Sequence, residues 1–292
     1  MNMIDRDSLR RFVFENSQVR GELIHLDATW RAVLERHAYQ LPVRDLLGQA
    51  MAATALLIAT LKMEGTLTLQ VRGDGPVSLL VVQATTGRTL RGLAHSKGDV
   101  EAGTLQQLFG AAQMVITIDP EQGRERYQGI VELKGETFAA ALESYFAESE
   151  QLATRLWLAV DEQQAAGLLL QALPGMQEDP DTWQRAVLLA DTLRDDELLN
   201  LSAPELLHRL YHEDDVRLFE THPVSFRCSC SRERIESVLR GLGYDEVRDI
   251  LREEGVIGVD CEFCNQHYEL DRVDAERLFA AADAPPVPKT RH

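Results

Sequence analysis

All four cysteines of this 292-residue chain lie in two short motifs near its C-terminal end. Cys228-Ser229-Cys230 is followed, after 30 residues, by Cys261-Glu262-Phe263-Cys264. The disulfide scaffold of a small secreted domain would distribute cysteines through the chain, whereas close pairs in a reducing compartment usually bind a metal or undergo redox reactions. Four thiolates match the closed tetrahedral coordination of structural zinc. The spacing therefore predicts one Zn²⁺ ion bound by Cys228, Cys230, Cys261 and Cys264.

The first motif is tighter than is usual for a zinc site. A single serine separates its two thiols, whereas paired zinc ligands normally have two to four residues between them. We therefore expect a labile site. Arg227, Arg232 and Arg234 flank this motif and should favour the thiolate form of its cysteines. His267, three residues after Cys264, is an alternative fourth ligand, although the four cysteines are a complete set without it.

Metal binding should decide whether the C-terminal module is folded. A module the size of residues 227–283 is marginally stable alone, and structural zinc can supply about 10–16 kcal/mol of folding free energy. Oxidation of the thiolates would remove the ligands, so we expect it to unfold the module. Three disulfide pairings are possible. Bonds within each motif close very small loops and leave the module open, whereas bonds between motifs would restrain the unfolded chain by about 3 kcal/mol or more.

Residues 1–175 predict an α+β core domain with mixed or antiparallel sheets. Thr66–Arg72 alternates with period two, a Gly-Asp-Gly-Pro turn follows, and Val77–Val82 resumes as a strand. Asp27 is a candidate N-cap for a short helix, and a longer helix should run from Pro42 to Leu61. A further helix is expected at Phe138–Phe146, and further strands at Arg11–Phe14, Val19–Leu26, Met114–Ile118, Tyr127–Leu133, Arg155–Val160 and Gly167–Leu173.

Residues 176–226 predict an acidic, helical and metastable linker. They carry 12 acidic and 4 basic side chains, and this self-repulsion weakens a compact state. The alternative is a small helical bundle packed on the core. Residues 227–283 predict a small zinc-binding α/β module that acts as a redox switch, followed by a disordered tail at 284–292. Its expected elements are helices at Glu233–Leu242, Asp245–Glu254 and Asp274–Ala282 and a hairpin within Val256–Tyr268.

Charge and motif content limit the possible functions. The net charge of −17 disfavours binding to nucleic acid. The N-terminal residues lack an apolar segment typical of a secretory signal. The longest apolar run, Ala50–Leu61, is shorter than the roughly 20 residues that span a bilayer. We therefore expect a cytoplasmic protein that binds neither nucleic acid nor membrane. Sequence motifs of nucleotide-binding loops, zinc proteases and serine hydrolases are absent, so no enzymatic activity and no catalytic residue are predicted.

The two cysteine motifs, together with R-L-F-E at Arg217–Glu220, closely resemble those of the heat shock protein 33 family. The resemblance covers nearly the whole chain, apart from the proline-rich tail. The other matching segments are R-F-V-F-E-N (Arg11–Asn16), E-G-T-L-T-L-Q (Glu64–Gln70), G-D-G-P-V-S-L-L-V-V (Gly73–Val82), Y-Q-G-I-V (Tyr127–Val131), S-E-Q-L-A-T-R-L-W-L-A (Ser149–Ala159) and R-L-Y-H-E (Arg209–Glu213).

This resemblance implies a redox-regulated holdase chaperone that works without ATP. The reduced protein would be an inactive, zinc-bound monomer. Oxidants would form the Cys228–Cys230 and Cys261–Cys264 disulfides and release zinc. The zinc module and the linker would then unfold, and a homodimer would bind unfolded or partially unfolded client proteins through exposed apolar surface.

Two other functions are compatible with the cysteine motifs. One is a thiol–disulfide oxidoreductase that uses Cys261 and Cys264 as its redox pair. That chemistry usually requires a nucleophile at a helix N-terminus, whereas this motif lies in a predicted hairpin. The other is a zinc-stabilised protein-binding module that is constitutive and not switched by oxidation. Zinc retention under mild peroxide would favour the constitutive module.

Overall fold

The chain forms two compact units, one ending at Arg227 and the other beginning at Cys228. The computed structural model describes residues 6–15, 17–121, 125–175 and 181–280. The first unit contains two β-sheets with a buried helix between them, and the second is a small α/β module. This is the α+β fold that the sequence predicts.

The first sheet has five strands in the order β10-β1-β2-β9-β8, and all neighbours are antiparallel. Four of these strands overlap strands that the sequence predicts. The fifth, β10, lies at the edge and pairs only with β1 among the strands of this sheet. The strands are β1 (Ser8–Phe14), β2 (Val19–Leu26), β8 (Thr154–Val160), β9 (Ala165–Ala172) and β10 (Val216–Pro223).

The second sheet has six strands in the order β11-β5-β4-β3-β6-β7. Its β3–β4 hairpin confirms the predicted turn at Gly73–Pro76. A Cβ atom at Gly73 would lie 2.0 Å from the carbonyl oxygen of Phe109, so only glycine allows this close approach. The strands are β3 (Gly65–Gly73), β4 (Val77–Thr85), β5 (Thr89–Ser96), β6 (Ala112–Pro120), β7 (Tyr127–Glu132) and β11 (Ser225–Phe226), of which β11 runs parallel to β5.

Helix α2 (Leu41–Thr60) contacts strands of both sheets and forms the centre of the first unit. Every residue from 50 to 58 of this helix is buried, which is typical of a helix within a core. Within the described residues, it is the one helix long and apolar enough to cross a bilayer, and 72% of its apolar window is buried inside the protein. Pro42 lies in its first turn, as predicted.

Three shorter helices complete the part of the first unit before residue 175. Helix α1 (Ala28–Leu34) begins after Asp27, as expected, but the side chain of Asp27 does not cap it. The Asp7 carboxylate instead accepts hydrogen bonds from the backbone N–H groups of Asp27, Ala28 and Thr29, at 2.9–3.0 Å. The other two helices are α3 (Leu105–Phe109) and α4 (Phe138–Tyr145), and α4 continues as a π-helical turn over Phe146–Glu150.

The predicted acidic linker contains three helices that cover one face of the first sheet. They are α5 (Thr182–Ala190), α6 (Asp195–Asn200) and α7 (Ala203–Tyr211). Leu206 and Tyr211 are buried in one apolar cluster with the sheet residues Phe12 and Leu168. Strand β10 also falls in this segment, where the sequence predicted only helices. Pairing with β1 stabilises its extended conformation, and that contact lies far away in the sequence. Residues 176–180 lie outside the described part of the chain.

The second unit contains two helices, a hairpin and a closing helix, close to the predicted positions. These elements are α8 (Arg232–Leu242), α9 (Tyr244–Glu254), β12 (Ile257–Asp260), β13 (His267–Leu270) and α10 (Arg272–Ala280). Its buried apolar residues are few: Leu239, Val247, Ile257, Leu270, Ala275 and Leu278. A core of this size gives little stability without a further cross-link or metal. The tail predicted at 284–292 lies outside the described residues.

Candidate metal centre

The second unit brings its four cysteines together from two separate segments. Cys228 and Cys230 lie in the extended chain before α8, and Cys261 and Cys264 lie in the turn between β12 and β13. All four sulfur atoms are within 4.8 Å of one another, and no disulfide joins them. The sulfur atoms are 3.6 Å apart for Cys228 and Cys261, and 3.3 Å apart for Cys230 and Cys264.

These separations fit a single tetrahedral metal ion. Zinc–sulfur bonds of about 2.3 Å in tetrahedral geometry place sulfur atoms about 3.8 Å apart. Four soft sulfur donors are typical of a closed structural zinc site. The residues present therefore fit a zinc–tetrathiolate centre, which would cross-link the β12–β13 turn to the segment before α8.

The turn that carries Cys261 and Cys264 is held by backbone hydrogen bonds. The N–H groups of Cys264 and Asn265 donate to the carbonyl oxygen of Cys261, at 3.2 and 2.7 Å. Asn265 has a φ of +56°, a left-handed conformation that asparagine adopts more readily than most residues. The N–H groups of Phe263 and Cys264 also donate to the sulfur of Cys261. The local fold therefore directs both thiols and backbone donors towards the same point.

Burial raises the pKa of the Cys261 and Cys264 thiols above the usual range. Backbone N–H donors oppose this shift because they stabilise a thiolate. The net shift of the pKa is upward for both thiols. The charge of a bound metal cation would compensate the thiolates that ligate it.

Tyr268 is a contact of this centre that sequence reasoning missed. Its hydroxyl lies 3.2 Å from the sulfur of Cys230 and is oriented to donate to it. This hydrogen bond raises the pKa of Tyr268 to about 12. Tyr268 follows Cys264 by four residues, but only the return of β13 alongside β12 directs its ring to the first motif. Such donors to metal-bound sulfur tune how firmly a metal is held.

The arginines near the first motif have structural partners. Arg232 forms ion pairs with Asp274 at 2.6 Å and Glu236 at 3.3 Å, and donates to the carbonyl oxygen of Glu269 at 3.2 Å. Arg234 donates to the carbonyl oxygen of Ser229 at 2.9 Å and thereby braces the loop between Cys228 and Cys230. Their predicted role in favouring thiolates stays a prediction.

His267 lies outside the sulfur cluster. Its Nδ1 atom is 2.7 Å from an Asp260 carboxylate oxygen, and its Nε2 atom is 3.2 Å from a Glu269 carboxylate oxygen. Both ring nitrogens therefore face carboxylates, which raise the pKa of His267. The set of grouped ligands consists of the four cysteines alone within the described chain, so the alternative ligand His267 has no support from the geometry.

Comparison with known proteins agrees with the resemblance in the cysteine motifs. The family model described as Hsp33 protein matches residues 7–271. The 33 kDa chaperonin of Nitrosococcus oceani is 54% identical over 290 residues, covering 99% of this chain and 100% of the relative. The 33 kDa chaperonin of Methylobacillus flagellatus is 46% identical over 289 residues, covering 98% and 99%.

The fold also has a counterpart among solved structures. The crystal structure of the 33 kDa chaperonin (heat shock protein 33 homolog) from Thermotoga maritima matches with a TM-score of 0.82 at 23% sequence identity. The match covers 95% of this chain and all of that one. At this identity the likeness concerns the fold, whereas the family model and the curated relatives establish descent over nearly the full length. The chain therefore belongs to the Hsp33 family of chaperones.

Proposed function

We propose that this chain is a redox-regulated holdase chaperone that needs no ATP and is inactive when reduced and zinc-bound. In the reduced form, Cys228, Cys230, Cys261 and Cys264 would hold one Zn²⁺ ion, which supplies the folding free energy that the small core of the second unit lacks. The clustering of the four sulfur atoms within 4.8 Å carries the proposal. The protein would act in the cytoplasm and bind neither nucleic acid nor membrane.

Oxidation would remove all four ligands as the Cys228–Cys230 and Cys261–Cys264 disulfides form. Each disulfide forms when two thiolates give up two electrons. One hydrogen peroxide molecule accepts them, together with two protons from solvent, and is reduced to two water molecules. The shortest distances between sulfur atoms join a cysteine of the first motif to a cysteine of the second. In a tetrahedral site, however, all four sulfur atoms lie at similar distances from one another. Proximity therefore does not select a pairing, and the pairing within motifs rests on the family resemblance. These bonds close very small loops and leave the rest of the unit free to unfold.

Unfolding would extend to residues 176–226 and create the client-binding form. The helices of this segment are short, and the segment has 12 acidic against 4 basic side chains, so its docking depends on the apolar cluster with the first sheet. Release would expose the buried rings of Phe12 and Phe14 and the apolar side of α7. Such surface binds unfolded or partially unfolded client proteins, and the oxidised form would be a homodimer.

The test compares reduced and oxidised protein directly. The reduced, zinc-loaded protein should fail to suppress aggregation of a heat-unfolded client, measured by light scattering, and the peroxide-treated protein should suppress it. Zinc release to a chromophoric chelator and loss of far-UV helical signal should accompany activation. Equal suppression by the two forms would refute the redox-regulated holdase.

Two alternative functions have distinct outcomes in the same experiments. A constitutive zinc-stabilised binding module would retain zinc and helical signal under mild peroxide. A thiol–disulfide oxidoreductase would rapidly reduce insulin disulfides. The site gives that enzyme little support, because Cys261 and Cys264 lie in the turn between β12 and β13 and cluster with a second pair of thiols, whereas the nucleophile of such an enzyme usually lies at a helix N-terminus.

A further inference from the structure

A cavity of about 290 Å³ lies in the first unit, outside the cysteine centre. It is bounded by strands β1, β2 and β10, the C-terminal end of α2 and the turn between β4 and β5. Ile58, Leu61 and Phe219 provide apolar walls, and Arg11, Arg88 and His222 provide polar ones. Concave sites with apolar walls and a few convergent polar groups are typical of small-molecule binding sites.

Arg88 is the unusual residue of this cavity. Its φ of +61° is left-handed, in a turn where its N–H donates to the carbonyl oxygen of Thr85 at 2.8 Å. Glycine or asparagine normally occupies such a position, because a longer side chain is strained there. Arg88 is also half-buried, yet no carboxylate of the described residues forms an ion pair with it. Strain and an uncompensated charge at one residue indicate a functional requirement for that side chain.

The remaining charged groups leave the cavity positive. Glu22 is almost fully buried, with 1% of its side chain exposed, and it pairs with Arg11 at 2.9 Å. This pair is internally neutral, so the charge of Arg88 is unbalanced. Burial lowers the pKa of His222, and the charges of Arg88 and Arg11 lower it further, while Glu220 acts in the opposite direction. A positive cavity is unexpected in a chain of net charge −17.

We propose that this cavity binds a small organic oxyanion, a carboxylate or phosphate group on an apolar body, with the Arg88 guanidinium contacting the anionic group. The planar guanidinium forms paired hydrogen bonds with both kinds of oxyanion. Ile58, Leu61 and Phe219 contact the apolar body. The volume of about 290 Å³ limits the ligand to a few tens of atoms at most.

Binding at this site also favours the docked position of β10. Phe219 and His222 lie on β10, whereas Arg11, Arg88 and Ile58 belong to elements that precede the acidic segment. A ligand that contacts both groups stabilises the state in which β10 pairs with β1. If the chain is the redox-regulated holdase proposed above, a ligand that stabilises docked β10 also opposes activation by oxidant.

Calorimetric titration of the reduced full-length protein with phenyl phosphate and with benzoate tests the site and distinguishes the two head groups. At least one of them should bind, and Arg88→Gly should weaken that binding tenfold or more. Glycine removes the guanidinium and relieves the left-handed strain, so this variant should remain folded. Arg72→Ala, which removes an exposed arginine from β3 outside the cavity, is the matched control and should bind as the parent does.

Absence of binding by both compounds, or equal affinity in the Arg88→Gly variant, would overturn the proposal. Hydrogen exchange then measures the consequence for β10. Saturating ligand should slow exchange of the β10 amides in the parent protein but not in Arg88→Gly, and unchanged exchange in the ligand-saturated parent would overturn the coupling. Neither measurement uses a client protein or an oxidant, so failure of the holdase proposal would leave both results unaffected.

Discussion

Leu206 offers a quantitative test of how the acidic segment is held on the first sheet. Its side chain on α7 is fully buried, with 0% exposed, in the cluster that includes Phe12 and Leu168. Replacement of such a leucine by alanine costs about 2–5 kcal/mol. If about 3 kcal/mol of this falls on the docking of α7, the undocked population rises roughly 100-fold, since 1.4 kcal/mol is a factor of ten. We therefore predict that Leu206→Ala speeds amide exchange across α5 to α7 by about that factor.

Leu188→Ala is the matched control, because Leu188 lies in the same segment on α5 but is 68% exposed. Exposed substitutions usually change stability by less than about 0.5 kcal/mol, so its exchange rates should stay within about twofold of the parent. Zinc content should be unchanged in both variants. Exchange in α7 of Leu206→Ala at the parent rate, or equal acceleration by Leu188→Ala, would refute the view that buried apolar contacts hold this segment.

Three further predictions concern the second unit. Chelation of metal from the reduced protein should abolish the helical signal of α8, α9 and α10 while the part of the first unit before residue 175 stays folded, because about 10–16 kcal/mol of metal binding exceeds what the small core provides. Full retention of these helices in the NMR spectrum would contradict this. Tyr268→Phe removes the hydrogen bond to the Cys230 sulfur at 3.2 Å and should speed zinc release roughly 10-fold, measured with a chromophoric chelator. Tyr244 is an exposed tyrosine of α9, so the control variant Tyr244→Phe should release zinc at the parent rate. Because Asp260 and Glu269 raise the pKa of His267 above 6.5, protonated His267 stabilises the β12–β13 hairpin below about pH 6.5, and this contribution is lost as the pH rises through the folded-state pKa; His267→Ala should abolish this pH dependence in an NMR titration of the hairpin without lowering the metal content relative to the parent protein.

Local sequence patterns were enough to predict most elements and the ligand candidates. The alternation at Thr66–Arg72 and the glycines that follow it predicted the β3–β4 hairpin. The two cysteine motifs predicted a cluster of four thiols, because each motif places two sulfur atoms within a short stretch of chain. The helices and the hairpin of the second unit were confirmed for the same reason, since their caps, turns and apolar periodicity lie within a few residues.

Residues whose roles depend on distant partners could not be predicted in this way. Strand β10 lies in a segment with helical periodicity and becomes a strand because β1 offers it an unpaired edge. Tyr268 contacts Cys230 only because β13 folds back beside β12. Asp7 caps α1 in place of Asp27 from 20 residues away along the chain.

The sequence by itself determined the α+β class, the positions of most helices and strands, and the four thiols of the candidate metal centre, because these follow from periodicity and short spacing. Tertiary structure alone decided that His267 faces two carboxylates and not the sulfur cluster. It alone also decided that Arg88 lines a cavity and forms no ion pair with a described carboxylate. Such outcomes depend on which side chains from separate segments come into contact. Burial and charge compensation are properties of that packed arrangement, and no local pattern encodes them.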